Sequence, residues 1–101
     1  MLAYRTTWIV KPMCMGKALK FEEELLEGIK ALGISGFVEA RVYMPKFSPN
    51  VLVFEAVWES AEAYEKFWAE PGPEFSKIWD VGAWFELVES TAGTEVWNVH
   101  K

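Results

Sequence analysis

The chain predicts an α+β fold in which an antiparallel sheet carries its helices on one face. Three observations lead there. Four stretches rich in β-branched and aromatic residues are bounded by turn-forming residues. One long stretch between them repeats its apolar residues at three- and four-residue steps. Two of the strand-like stretches also alternate so that one of their faces is entirely apolar, which demands a cover.

Residues 4–10, YRTTWIV, read as a first strand that ends before Pro12. Met13-Cys14-Met15-Gly16 follows as a loop. Over residues 17–32 the apolar Ala18, Phe21, Leu25, Ile29 and Leu32 fall on one side of a helix, and Lys20, Glu23, Glu24, Glu27 and Lys30 on the other. Gly33 supplies the left-handed residue that ends it. Residues 37–44 form a second strand stopped by Pro45, and the loop PKFSPN returns the chain into a third strand at 51–58. Ser60 caps a second helix that runs to Ala69. The sequence EPGPE breaks that helix, and Pro73 opens a further helical segment with Phe75, Ile78 and Trp79, followed by irregular chain. After a turn at residues 90–93, residues 95–99 alternate as a last strand. The order is the ferredoxin-like βαββαβ arrangement, expected as a single domain over residues 1–101.

Composition narrows the function classes. The chain of 101 residues is long enough for one core, and its 51% apolar and 25% charged residues are ordinary globular usage. No apolar run approaches the ~18 residues of a membrane span, so no membrane partner is expected. Arg5, Thr6 and Thr7 interrupt the apolar start, unlike a signal peptide, and the lone Cys14 forms no intrachain disulfide. A cytoplasmic location is the expectation. The net charge of −5, with scattered Lys and Arg, lacks the basic patch of a nucleic-acid binder.

The alternation of strands two and three decides where the acids lie. One face collects Val38, Ala40, Val42 and Met44 with Leu52, Phe54, Ala56 and Trp58, and lies under the helices. The other collects Phe37, Glu39, Arg41 and Tyr43 with Val51, Val53, Glu55, Val57 and Glu59. A hairpin centred on Ser48 sets Glu55 against Arg41; a register shifted by two sets it against Glu39 and keeps the same faces. So apolar a helix-free face calls for a cover. A second copy of the same sheet is the simplest one, making a two-fold homodimer whose sheets close into a barrel.

Three stretches carry a resemblance to a known superfamily. YRTTWIVKP with GKALKFEEELLEGIKALG, then LVFEAVWESAEAYEKFW, then EVWNV, resemble successive parts of the dimeric α+β barrel proteins. The likeness is greatest to the NIPSNAP-like and antibiotic-biosynthesis-monooxygenase-like branches. It implies a homodimer with a ligand cavity in each protomer. It also implies, in some members, oxidation of polycyclic aromatic compounds without metal or flavin, so that no cofactor is expected. Heme-degrading members use an internal histidine, whereas the only histidine here is His100, read as a solvated terminal residue.

On the residues themselves, Glu55 is the candidate catalytic acid or base, or a ligand anchor, with an interfacial ion pair to Arg41 as the structural alternative. Arg41, Tyr43 and Arg5 are candidates to orient a small apolar or aromatic ligand. Arg5 can equally reach a carboxylate such as Glu39. Trp79 and Trp84 are candidate pocket walls, and Trp58 is assigned to the core. No metal site is expected, since Met13-Cys14-Met15 lacks partners to complete one. No Ser-His-Asp set and no phosphate-binding loop is present in the sequence. Two function classes stay open: a cofactor-independent monooxygenase or isomerase, and a non-catalytic dimeric binding module.

Overall fold

The computed structural model describes residues 1–99; His100 lies outside the described residues. The elements are β1 (Leu2–Val10), α1 (Met15–Leu32), β2 (Phe37–Tyr43), β3 (Val51–Trp58), α2 (Ala61–Ala69), α3 (Pro73–Ile78), α4 (Val81–Leu87) and β4 (Val88–Asn98). The strands lie in the order β2-β3-β1-β4, with all three neighbouring pairs antiparallel. That is the ferredoxin-like α+β arrangement. Among the described residues no helix is long and apolar enough to cross a membrane.

Local chemistry fixes most boundaries. Gly33, at φ 60°, caps α1 by donating its N–H to the Lys30 carbonyl. Ser60 accepts from the Ala63 N–H and starts α2, and Pro73 stands in the first turn of α3. The hairpin between β2 and β3 has the register centred on Ser48, with Arg41 opposite Glu55 and Tyr43 opposite Val53.

Several expectations need correction. β1 begins at Leu2 rather than at residue 4, because its first residues pair with both Trp58 and Asn98. Met15 and Gly16 belong to α1, not to a loop, with Cys14 at the cap position. Phe37, expected on the helix-free face, is turned over by a register shift between Phe37 and Glu39. Its ring packs at 5.6 Å and 77° against Trp58 on the helix side, and Val38 is left exposed. Met44, expected under the helices, lies beyond β2 and is exposed as well. The chain after Pro73 is not irregular: Asp80 accepts from the Ala83 N–H and starts α4. The expected turn at 90–93 lies inside β4, which passes that point with two register shifts against β1. Gly93, at φ 134°, sits beside one of them and supplies backbone freedom in place of a turn.

The helix side of the sheet is filled at its two ends. Val10, Leu52, Ala18, Trp84 and Val88 form one buried cluster, and Leu2, Ala40, Ala56 and Trp58 another. Leu25, Ile29 and Phe75 join α1 to α3 above them. Thr6 stands at the middle of the helix-facing row of β1, diagonal to Ala56 at the edge of the second cluster, so two small side chains adjoin in a layer of large rings. Small residues there cannot reach the helices, so the core is not continuous.

One close approach sets the α2 position. A Cβ on Gly36 would stand 2.3 Å from that of Ala63, and Gly36 has φ +82°. Gly36→Ala is expected to destabilise the fold by about 3 kcal/mol through strain and displacement of α2. Gly16→Ala, where nothing lies within 4 Å, is expected to be neutral or to stabilise by up to about 1 kcal/mol. Urea denaturation of the two variants checks the contrast.

Candidate functional site

The discontinuity in the core is a cavity of about 330 Å³. Its floor is the middle of the sheet, Tyr4, Thr6 and Trp8 on β1 with Phe54, Ala56 and Trp58 on β3. Its walls come from α1, α2 and α3, chiefly Leu25, Ile29, Phe67, Phe75 and Trp79. The lining is overwhelmingly aromatic and aliphatic, the composition of a site for a flat apolar molecule. Tyr4 stacks on Tyr64 with centroids 4.7 Å apart, and Phe67 meets Phe75 edge-on at 5.1 Å, so the walls brace one another.

Among the described residues one carboxylic acid lines this space. Glu22 occupies the buried stripe of α1 with Ala18, Leu25 and Ile29, and is 1% exposed. Its Oε2 has no hydrogen-bond partner among the described residues. Burial, with no cation to offset it, pushes the carboxyl up to about 7. Trp58 also lines the cavity, and its indole N–H is likewise without a partner among the described residues. Glu22 was missed in the sequence. The signal was present: it follows Ala18 by four residues and precedes Leu25 by three, which puts an acid on the apolar stripe.

The candidates named from the sequence fall in two places. Glu55, Arg5 and Tyr43 come together on the helix-free face, on three adjacent strands. Arg5 Nε donates to Glu55 Oε2 at 2.5 Å, and the Tyr43 hydroxyl donates to Oε1 at 3.0 Å. Glu55 is only 6% exposed. The bond to Glu55 holds the Arg5 guanidinium above its ordinary range. Arg41 stands opposite Glu55 in register, yet its guanidinium bonds Glu39 at 3.0 Å. The expected Glu55–Arg41 and Arg5–Glu39 pairs are therefore exchanged. Arg5 wins because it faces Glu55 across the central pair of strands, whereas Arg41 has Glu39 two residues away on its own face of β2.

Trp79 lines the cavity, as expected of a pocket wall. Trp84 does not. It is completely buried behind the wall, 6.3 Å from Trp79 and 5.6 Å from Trp8, and supports both. Trp58 is buried, as assigned, and borders the cavity too. The structure thus brings Glu55 together with Arg5 and Tyr43, and separates all three from Trp79 by the thickness of the sheet.

Comparison with known proteins agrees with this fold. Residues 11–73, more than half of the chain, match the sequence model described as Antibiotic biosynthesis monooxygenase. The chain belongs to the antibiotic biosynthesis monooxygenase family. No curated protein sequence matches it. Among solved structures similar to this family member is SnoaB, a cofactor-independent oxygenase from Streptomyces nogalater. It is 15% identical, with a TM-score of 0.74 over 99% of this chain and 93% of that one. A conserved protein from Methanosarcina mazei is 16% identical, with a TM-score of 0.73 over 95% and 89% of the two chains. A Mycobacterium tuberculosis protein is 13% identical, with a TM-score of 0.72 over 99% and 95%. At these identities the likeness establishes the shared fold.

Glu22 makes stability depend on pH. Its folded-state value of about 7 lies above the ordinary carboxylate value of 4.5, so the folded protein binds the proton more tightly than the unfolded chain does. Stability is greatest below the unfolded value and falls as pH rises from there through about 7. The loss is on the order of 3 kcal/mol. Glu22→Gln is expected to flatten this dependence and to melt higher than the parent at pH 8. Thermal denaturation across pH 5–8 checks it, and parallel curves for the two proteins would contradict it.

Proposed function

We propose that this protein is a homodimeric, cofactor-independent monooxygenase that takes a flat aromatic or polycyclic substrate into the cavity between helices and sheet. The observation that carries the reading is the cavity itself: about 330 Å³, walled by aromatic rings, in a member of a family described by monooxygenation. A space of that size accommodates two or three fused rings. A similar structure from Streptomyces nogalater is described as a cofactor-independent oxygenase, which supports the same reaction class. In such a reaction a base removes a proton from an activated substrate CH2 group. The resulting anion reduces dioxygen, and CH2 plus O2 becomes C=O plus water, every electron coming from the substrate. The protein's part is to dry the site, hold the anion and accept the proton.

The dimer reading rests on the face away from the helices. Trp97 and Tyr43 are exposed there, and Ile9, Val51 and Val53 are half-buried. Arg5, Arg41, Glu39 and Glu95 supply both signs of charge on the same face, so a two-fold copy can meet it with opposite charges. Glu55, held by Arg5 and Tyr43, is assigned to this interface as the group that fixes its register, rather than to chemistry. The cytoplasm suits a protein whose single Cys14 is unpaired.

Two measurements test the reading. Oxygen uptake with a panel of hydroxylated polycycles bearing an activated CH2 is expected without any added metal, flavin or reductant. It is expected to fall by about tenfold or more in Ala56→Phe, which fills the cavity floor. Binding of the panel without oxygen uptake would make the protein a carrier of such molecules, and neither binding nor uptake would sink the proposal. Sedimentation is expected to give a dimer that Val53→Arg converts to monomers, because an unpaired charge enters the interface. A parent protein that sediments as a monomer at micromolar concentration would overturn the dimer.

A further inference from the structure

We propose that Glu22 is the proton-accepting group of the cavity, and that it selects ligands carrying an acidic O–H over plain hydrocarbons of the same shape. The inference rests on reading the cavity as a ligand site and names the residue that gives that site its polarity.

The geometry leaves few choices. Among the described residues sixteen line the space, and of these Glu22 is the only carboxylate, with no lysine, arginine or histidine. A carboxylate kept at 1% exposure without a partner for Oε2 carries an uncompensated desolvation cost. A ligand hydroxyl that donates to Oε2 removes that cost, and a hydrocarbon adds to it. Trp58 supplies the complementary half, since its unpartnered indole N–H in the same lining can donate to a ligand oxygen. The Tyr4 and Tyr64 phenols also line the space, but a phenol ordinarily keeps its proton through the range where Glu22 titrates, and burial and the neighbouring Tyr4 push the Tyr64 phenol up. A titrating acceptor with an unpartnered donor in the same lining recognises a hydroxylated aromatic ring system. Glu55 lacks this freedom, because both its oxygens are already engaged on the other side of the sheet.

Proton transfer follows the same logic. The proton moves from the ligand oxygen to Glu22 Oε2, leaving a neutral carboxyl and a ligand anion, with no change in electron count. The gap between a carboxylate at its ordinary value of 4.5 and a phenol near 10 is about 5.5 pH units. With Glu22 pushed up to about 7, the gap falls to about 3.

The test is equilibrium dialysis of 2-naphthol and 2-methylnaphthalene, matched in shape, against the whole protein at several pH values between about 5 and about 8, where Glu22 titrates. A hydroxyl that hydrogen-bonds the carboxylate lowers the Glu22 pKa on binding. Naphthol affinity is therefore expected to rise, by about tenfold, as pH climbs towards 7 and to level off above it. An apolar ligand raises that pKa, so methylnaphthalene affinity is expected to stay level below about 7 and to fall as pH rises above it. Glu22→Gln is expected to give flat profiles for both probes with the shape of the site retained. Parallel profiles in the parent protein, or discrimination unchanged in Glu22→Gln, would overturn the role of Glu22 and leave the cavity as a ligand site. Failure of both probes to bind at any pH would overturn the cavity reading itself. Should Glu22→Gln not fold, the opposed slopes of the parent protein decide the matter alone.

Discussion

Each side chain on the four strands is committed to one of two faces, and most of the rest of the molecule follows from that. The helix side of β1 and β3 receives Leu2, Tyr4, Trp8, Leu52, Phe54 and Trp58, which bury under α1, α2 and α3. The other side receives Arg5, Glu55, Tyr43 and the valines. A one-residue slip would exchange the two sets, placing an arginine and a glutamate beneath the helices. The hairpin register prevents this on one flank. The engagement of Glu55 by side chains from both neighbouring strands opposes it at the centre.

The same commitment creates the cavity. Along the helix-facing row of β1 the order is Leu2, Tyr4, Thr6, Trp8 and Val10, so a threonine interrupts a line of large side chains at its midpoint. Ala56 lies diagonal to it on β3. Trp84, fully buried, closes one end by packing edge-on against Trp8, and Trp58 closes the other by meeting Phe37 and Tyr64 edge-on and Phe67 at a tilt. Rigid aromatic ends keep the middle from collapsing, because a ring cannot relax into a gap as a methionine can. The space is thus a product of the packing around it.

Much of this was legible in the residues. Period-two alternation gave the faces of β2 and β3, and the turn residues gave the hairpin register that places Arg41 opposite Glu55. The caps at Ser60 and Gly33 marked the helix ends. What escaped has identifiable causes. Bulges break the period locally, so Phe37 and Val38 exchange faces and the shifts in β4 read as a turn. The partner of Glu55 depended on β1, whose register no local pattern specifies, and the arginine in view was the one in the hairpin. Glu22 escaped because a helix rich in acids hides one more, and only its spacing from Ala18 and Leu25 distinguishes it.

The two acids show how the fold treats buried charge in opposite ways. Glu55 is surrounded by donors on the sheet, so its charge is matched where it stands. Glu22 is buried in an apolar stripe, and its Oε2 has no partner among the described residues. The unmatched acid costs on the order of 3 kcal/mol once ionised, against a total stability of roughly 5–15 kcal/mol for a domain. A leucine at that position would fit the apolar stripe and close the gap without the penalty. The penalty builds as pH rises from the ordinary carboxylate value to about 7 and is complete above it, where a ligand that donates a proton or a hydrogen bond removes it. An acid so placed couples occupancy of the cavity to the stability of the helix that carries it, which a hydrocarbon side chain cannot do. The matched pair holds the sheet together, and the unmatched residue leaves one interaction for a ligand to complete.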